Sequence, residues 1–540
     1  MLPLIRSQNA RLALAAVLCV ASAQLSLAQS PAVAPARSSG SLPSLGDGSE
    51  LSVAAERRIG DRIAASIYRD PDYIEDPVLV DYVQGIWLPL KAAARARGEL
   101  PAELDERFAW EFFLIRDRSI NAFALPGGYF GVHLGLIGAV SSADEMAAVL
   151  AHEMSHVTQR HISRLMTQQS RQAPWMIAAM VLGALAASKH PDAGSAAIVG
   201  GQALAAQGQL NFSRDMEREA DRVGFGVMSD AGFESRGVAT MFERLQQASR
   251  LNDNGSFPYL RSHPLTTERI AEAQARVQLA SASAARPSAQ KLASQGQAQL
   301  MHAMMAARAR ILAVPGVDAL RSMVAEAQRR GAGVAALQTP ASPANIRDAG
   351  ALYGGVLAAA QLRDFAGARS LLERLQPLAA GIARAHKAVE LLAIELDLTE
   401  GRVPASAASA ATAAMPGAAG SRAELLMQAK ALLAAKRAPE VSQGLRVWVA
   451  DHPRDATAWQ LLSVAYGQQN QGVQSIRAEA ESRAAQLDYA GALDRLKAAQ
   501  TLMRSKPASA DYVEGSILDT RTRQIELLVK EQALQDKVDR

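Results

Sequence analysis

A single cysteine stands among 540 residues. One thiol can build neither a disulfide scaffold nor a cysteine-rich zinc module. Aromatic residues make up only 5%, yet 49% of the chain is hydrophobic and 20% charged, so most of it can bury a core and is not a disordered polymer. Neither sign of charge dominates: Lys+Arg 57 against Asp+Glu 53 leaves +4, spread along the chain, which excludes a nucleic-acid footprint. Alanine is plentiful where aromatics are scarce, and that composition points to closely packed helices rather than sandwiches. At about 100–200 residues per domain, the length predicts roughly two to four domains.

Residues 1–28 read as a secretory signal peptide. Arg6 and Arg11 make the positive start, Leu12 to Ala23 is an apolar run of twelve, and small residues permit cleavage after Ala28 or Ala23. Twelve apolar residues fall short of the ~20 that span a bilayer. Cys19 lies inside this run without Gly or Ala before it, which weakens a lipoprotein reading. The mature chain then has no thiol, and 55 basic against 53 acidic residues leave it near +2. An exported protein without cysteine is indifferent to an oxidising compartment, which fits a bacterial periplasm.

Residues 29–48 are rich in Pro, Ser, Gly and Ala and read as a flexible leader. From about Glu50 onward apolar residues recur at three- and four-residue spacing, a helical pattern. Strand-like composition is confined to 108–117 and 122–137, with Pro126-Gly127-Gly128 as a turn. A long helix is expected from about Ser141 through Arg164, with Asp144 and Glu145 at its positive end. The stretch 172–211 holds two short, weakly apolar segments, the second with four glycines and three glutamines. It fits an amphipathic lid, or a helical hairpin in peripheral contact with a membrane surface.

After a linker at 281–290 the chain is Ala/Leu/Gln/Arg-rich helix to its end. RDFAGARSLL (363–372) and LDYAGALDRL (487–496) repeat one another, each with Asp-aromatic-Ala-Gly-Ala where one helix would turn into the next. With Trp459, Leu462 and Tyr466 at helical spacing, this half resembles a tetratricopeptide (TPR) array, whose period is about 34 residues. The 124-residue separation of the two pieces is not a clean multiple of that period, and 403–421 looks like an insertion. The array is therefore TPR-like.

AHEMSHVTQRH (151–161) carries the chemistry. His152 and His156 stand at i and i+4, about 40° apart on a helix, so both imidazoles can hold one Zn²⁺. Glu153 sits beside the metal, where a carboxylate can take a proton from activated water and deliver it to a leaving amine. A catalytic zinc needs a third protein ligand, for which Glu217, Glu219 and Asp221 are candidates. Glu217 and Asp221 share a helix face, while Glu219 turns away by about 200°. One of the pair can ligate the metal while the other orients a ligating histidine, and spacing does not choose between them.

His-Glu-x-x-His followed by Glu-x-x-x-Asp resembles the M48 metallopeptidases, a gluzincin group, and the signal peptide with a TPR-like array is similar to its periplasmic type. The resemblance covers about 50–285 closely and 286–540 more loosely. It implies one Zn²⁺ per chain on His152, His156 and Glu217, with Glu153 as general base and Asp221 behind a ligand. The family's Asn-Ala-x-x-x-Pro-x-Gly strand matches Asn121-Ala122 through Pro126 and Gly128, implying an edge strand that pairs with extended substrate. Its His-Pro-x-x-x-x-Arg-Ile matches His263-Pro264 and Arg269-Ile270. His263 can bind the oxyanion, or fill the fourth zinc position and hold the enzyme latent; Arg269 can pair with a site carboxylate or the oxyanion. His133, His161 and His190 lack matching partners in sequence and read as structural or solvated.

The expected fold class is mainly α: a gluzincin-type peptidase domain with a small β-sheet edge over 49–283, then an α-solenoid (TPR-like) domain over 284–540. The expected function is periplasmic zinc endopeptidase acting on misassembled outer-membrane or exported proteins, with chaperone-like activity. The array would recruit unfolded envelope clients or the outer-membrane assembly machinery. The alternative is an assembly factor whose peptidase site is mostly closed.

Overall fold

The structure, a computed structural model, describes residues 51–168, 214–251, 258–283, 288–331, 342–408, 415, 420–505 and 512–538. The signal peptide, the leader and the 172–211 segment lie outside the described residues, as do parts of the linker and of the 403–421 insertion.

The first half contains α1 (Val53–Ile67), β1 (Tyr73–Ile74), α2 (Pro77–Ala96), α3 (Ala102–Arg107), β2 (Glu111–Ile115), β3 (Ala122–Leu125), β4 (Tyr129–His133) and α4 (Leu134–Ala139). These are followed by α5 (Ala143–Thr158), α6 (His161–Gln168), α7 (Arg214–Asp230), α8 (Arg236–Leu251), α9 (Pro258–Ser262) and α10 (Thr267–Ser283). The four strands form one sheet in the order β1-β2-β4-β3, with β2 and β4 parallel and the other pairs antiparallel. β3 is thus an edge strand, as the resemblance implied, and it packs on α5. The aromatic and β-branched residues of the two strand-like stretches supply β2, β3 and β4, while the two-residue β1 is too short to leave a sequence signal. Gly131 of β4 has no side chain because the Phe123 ring of β3 lies across its Cα.

One long helix over 141–164 does not form. α5 begins at Ser142, whose side chain caps Glu145 N, and ends at Thr158. Arg160 adopts φ 53, a left-handed conformation that an L-residue avoids and that stops an α-helix. Its guanidinium is anchored to the buried Glu56 carboxylate, Ser163 Oγ and the Leu51 carbonyl, which holds the turn in place. α7 crosses α5 closely at Gly224, where a Cβ would lie 3.1 Å from the backbone of Ala151 and His152. That close crossing lets the first turn of α7 face the His-Glu-x-x-His residues.

The second half is helical throughout its described residues: α11 (Ala289–Leu312), α12 (Val317–Gly331), α13 (Pro343–Gln361), α14 (Phe365–Ala379), α15 (Ala383–Glu400) and the short α16 (Ala405–Ala408). It continues with α17 (Arg422–Ala434), α18 (Ala438–Asp451), α19 (Ala456–Gln468), α20 (Gly472–Ala485), α21 (Tyr489–Ser505) and α22 (Tyr512–Val538). Sequence neighbours pack on one another, and four of their turns share one form. A left-handed residue (Arg363, Lys436, Asn470 or Leu487, φ 60 to 63) is followed at once by the N-cap position of the next helix. In the two repeated pieces, Asp364 and Asp488 accept from Gly367 N and Gly491 N, which explains the Asp-aromatic-Ala-Gly spelling.

α11 is seated in the peptidase half. Arg308, fully buried, donates to both oxygens of Asp76 at 2.9 and 2.6 Å and to Glu395 at 2.7 Å, while Asp76 also caps α2. His302 lies between the Tyr82 hydroxyl (2.6 Å) and the Val140 carbonyl (2.9 Å). A single apolar core runs from Val78, Trp87 and Leu136 through Leu300 and Met304 to Leu352 and Leu375. No helix among the described residues is long and apolar enough to cross a membrane.

His133 closes β4 and is buried between Ser119 Oγ (2.9 Å) and Asn121 Nδ2 (3.4 Å). Burial pushes its pKa down from 6.5 to about 4, against the pull of Asp117. Above pH 6.5 the imidazole is neutral in both folded and unfolded chains and has no effect. As pH falls from 6.5 towards 4 the unfolded chain gains a proton that the folded one refuses, so stability is lost across that window. The loss from this group approaches about 3 kcal/mol. His133→Gln removes the titration, so its urea midpoint should fall less between pH 7 and pH 4.5 than that of the parent protein.

Candidate metal centre

α5 places His152, Glu153 and His156 in the interior, and the first turn of α7 brings Glu217 against them. A carboxylate there also suits the positive end of the helix. His263 arrives just past α9, its ring stacked on Tyr259 with centroids 4.7 Å apart. Among the described residues, His152, His156, Glu217 and His263 form a buried set whose donor atoms all lie within 4.8 Å of one another.

The donors converge on one point. His156 Nε2 is 3.0 Å from His152 Nε2, and His152 Nε2 is 3.3 Å from His263 Nδ1. Glu217 Oε1 lies 3.0 Å from His263 Nδ1 and 3.4 Å from His156 Nε2. Ligands held tetrahedrally at ~2.0–2.1 Å from a zinc ion are roughly 3.3 Å apart, so these spacings match the edges of a zinc coordination shell. Three imidazoles and a carboxylate are also the donor types zinc prefers. The residues therefore fit the metal.

Behind the donors, charge is arranged in a chain. Asp221 Oδ1 lies 3.0 Å from His152 Nδ1, the nitrogen turned away from the cluster. Arg269, itself buried, donates to Asp221 at 2.7 and 2.8 Å and to the Pro264 carbonyl at 2.8 Å, and forms an ion pair with Glu217 Oε2 at 2.7 Å. Burial alone would raise both acids; instead the bonds from Arg269 and His152 bring Asp221 down to about 2, and His263, His152 and His156 hold Glu217 well below the carboxylate range. Burial opposes a charged His152, but its bonds to Asp221 and Glu217 raise it to about 10. Burial keeps His156 neutral, with a pKa well below 6.5. The cluster thus attracts positive charge while the His156 imidazole stays uncharged.

Glu153 differs from the other acids. Its two oxygens are buried, and His263 Nε2 lies 3.5 Å from Oε1. Burial raises its pKa above the ordinary carboxylate value, the direction that suits a proton acceptor working near neutrality.

Residues 90–277 match Peptidase family M48. The chain is 30% identical over 500 residues to the beta-barrel assembly-enhancing protease of Escherichia coli, covering 91% of each chain. This chain belongs to the M48 peptidase family. It is also 33% identical over 237 residues to the beta-barrel assembly-enhancing protease of Yersinia pestis, covering 44% of this chain and 47% of that one. A mitochondrial metalloendopeptidase of Arabidopsis thaliana is 29% identical over 196 residues, 36% of each chain. M48 peptidases are zinc-dependent, and the chain is a zinc metallopeptidase by that membership.

The structure gathers His152, Glu153, His156, Glu217, Asp221, His263 and Arg269 in one place. Asn121 and Ala122 stand at the start of the edge strand, Ala122 opposite Val132. His161 was missed: it is buried, its Nδ1 2.9 Å from His156 Nδ1 and its Nε2 3.1 Å from Glu219 Oε2. In an unbroken helix His161 would point about 140° away from His156, and only the break at Arg160 returns it. His133 is structural as expected, and His190 lies outside the described residues.

Glu217→Ala should reduce bound zinc from one ion per chain to near zero after dialysis, read by elemental analysis. Undiminished zinc would remove Glu217 from the ligand set.

Proposed function

We propose that this protein is a periplasmic zinc metalloendopeptidase of envelope protein quality control, cleaving misassembled outer-membrane or exported proteins. Residues 1–28 would serve as its signal peptide, 29–48 as a leader, 49–283 as the catalytic domain and 284–540 as a TPR-like recruiting array. The observation that carries the peptidase reading is Glu153, a buried carboxylate whose proton affinity burial raises, beside a zinc-fitting donor set. The name of the E. coli relative, a protease that enhances β-barrel assembly, supports the client class.

His152, His156 and Glu217 would hold the metal, with Asp221 fixing His152 and Arg269 fixing both acids. Zinc, when bound, supplies Lewis acidity to the scissile carbonyl and to water. Glu153 accepts the proton of the attacking water and passes it to the leaving nitrogen. β3, an edge strand among the described residues and preceded by Asn121, pairs with an extended client backbone, and such pairing reads side chains loosely. Arg269 acts through the carboxylates rather than on the oxyanion, since its donors are directed to Asp221 and Pro264 and its charge pairs with Glu217.

His263 favours a second, compatible reading. Its Nδ1 stands among the other three donors, where a fourth ligand would close the coordination shell. A site closed in this way is latent and leaves the chain to act as a chaperone or assembly factor until His263 swings out.

Two variants separate these roles. Glu153→Gln should retain zinc and lose about 10²- to 10⁴-fold in casein cleavage. If it still complements every envelope defect of a deletion strain, proteolysis is dispensable and the assembly-factor reading prevails. His263→Ala should retain zinc and cleave casein several-fold faster; a rate that does not rise argues against the plug.

A further inference from the structure

The two ligating histidines are backed by different devices. His152 Nδ1 meets the Asp221 carboxylate directly. His156 Nδ1 meets a second imidazole, His161, at 2.9 Å, with the rings 4.9 Å apart and 74° to one another. His161 Nε2 in turn faces Glu219 Oε2 at 3.1 Å, and that oxygen also accepts from Arg164 at 2.9 Å.

One tautomer assignment satisfies every contact in this row. If His156 offers Nε2 to a metal, its proton sits on Nδ1 and is donated to His161 Nδ1. His161 must then carry its own proton on Nε2, where Glu219 accepts it. We infer that His161 is a positioning residue for the zinc site, locking the tautomer and ring angle of His156 through a His156–His161–Glu219 relay. The local backbone is built for this contact. The left-handed Arg160, tied to buried Glu56, ends α5 two residues after His156 and starts α6 with His161 turned back towards it.

An imidazole whose outer nitrogen has a fixed partner is a better ligand, and losing such a partner costs about 10–100-fold in metal affinity. The relay rests on His156 being a zinc ligand, and it goes beyond that reading by assigning work to His161 and Glu219, neither of which touches the metal. It also predicts an order: a neutral imidazole polarises His156 less than an anion would, so the relay adds less than Asp221 does.

The test measures zinc dissociation constants of the full-length protein by chelator competition, beside the melting temperature of the zinc-free protein. His161→Phe keeps ring volume and removes both nitrogens; it should weaken zinc about tenfold or more. His161→Gln, which accepts at one end and donates at the other, should restore most of that loss. Glu219→Gln, a milder change at the end of the relay, should weaken zinc by less than His161→Phe. His156→Ala is the control. If it loses zinc while His161→Phe binds within twofold of the parent, the relay is wrong and the ligand assignment stands. If His156→Ala keeps full zinc affinity, the ligand assignment itself fails. Equal loss in the Phe and Gln variants, tracked by a lower zinc-free melting temperature, would mark a packing role and overturn the inference.

Discussion

Arg269 is the charge on which the catalytic interior depends. Glu217 is buried and Asp221 nearly so, and two such carboxylates at one wall would repel one another and resist ionising. One guanidinium bridges them, and it does so in a fixed fork that a lysine lacks. With both acids ionised, Glu217 faces the donor cluster and Asp221 holds His152. The same guanidinium binds the Pro264 carbonyl, so the His263 segment is tied to the carboxylates it faces. Glu153, on the neighbouring helix, makes no ion pair with Arg269 and keeps the raised proton affinity its role needs.

Much of the site was legible because its logic is local. His152, Glu153 and His156 declare themselves through helix geometry, and Glu217 with Asp221 through the same i, i+4 rule on another helix. The strand composition around Phe112 and Phe130 foretold β2 and β4, and the edge position of β3 agrees with the resemblance. The contact of His161 with Glu219, which the sequence offered only as a candidate ligand, escaped because it depends on a backbone break that propensity does not encode. Arg160 is an ordinary helix former, and its left-handed turn is anchored by Glu56, over a hundred residues earlier, which no local pattern reveals.

The second half was legible as helix and as repetition, down to the Asp364 and Asp488 caps. Its seating was not. Arg308 looks like any arginine of an amphipathic helix, yet it is buried against Asp76 and Glu395, drawing α2, α11 and α15 together. Long-range pairing of this kind has no spacing to read.

The apolar core that passes from Trp87 through Met304 to Leu375 carries a mechanical consequence. Parts with separate cores can be cut apart, shuffled between proteins and recombined. Here the first half and the helices from α11 to α15 share one interior, so they are expected to unfold together. A force applied to those helices is therefore borne by the packing around α2 and α4 rather than by a slack tether.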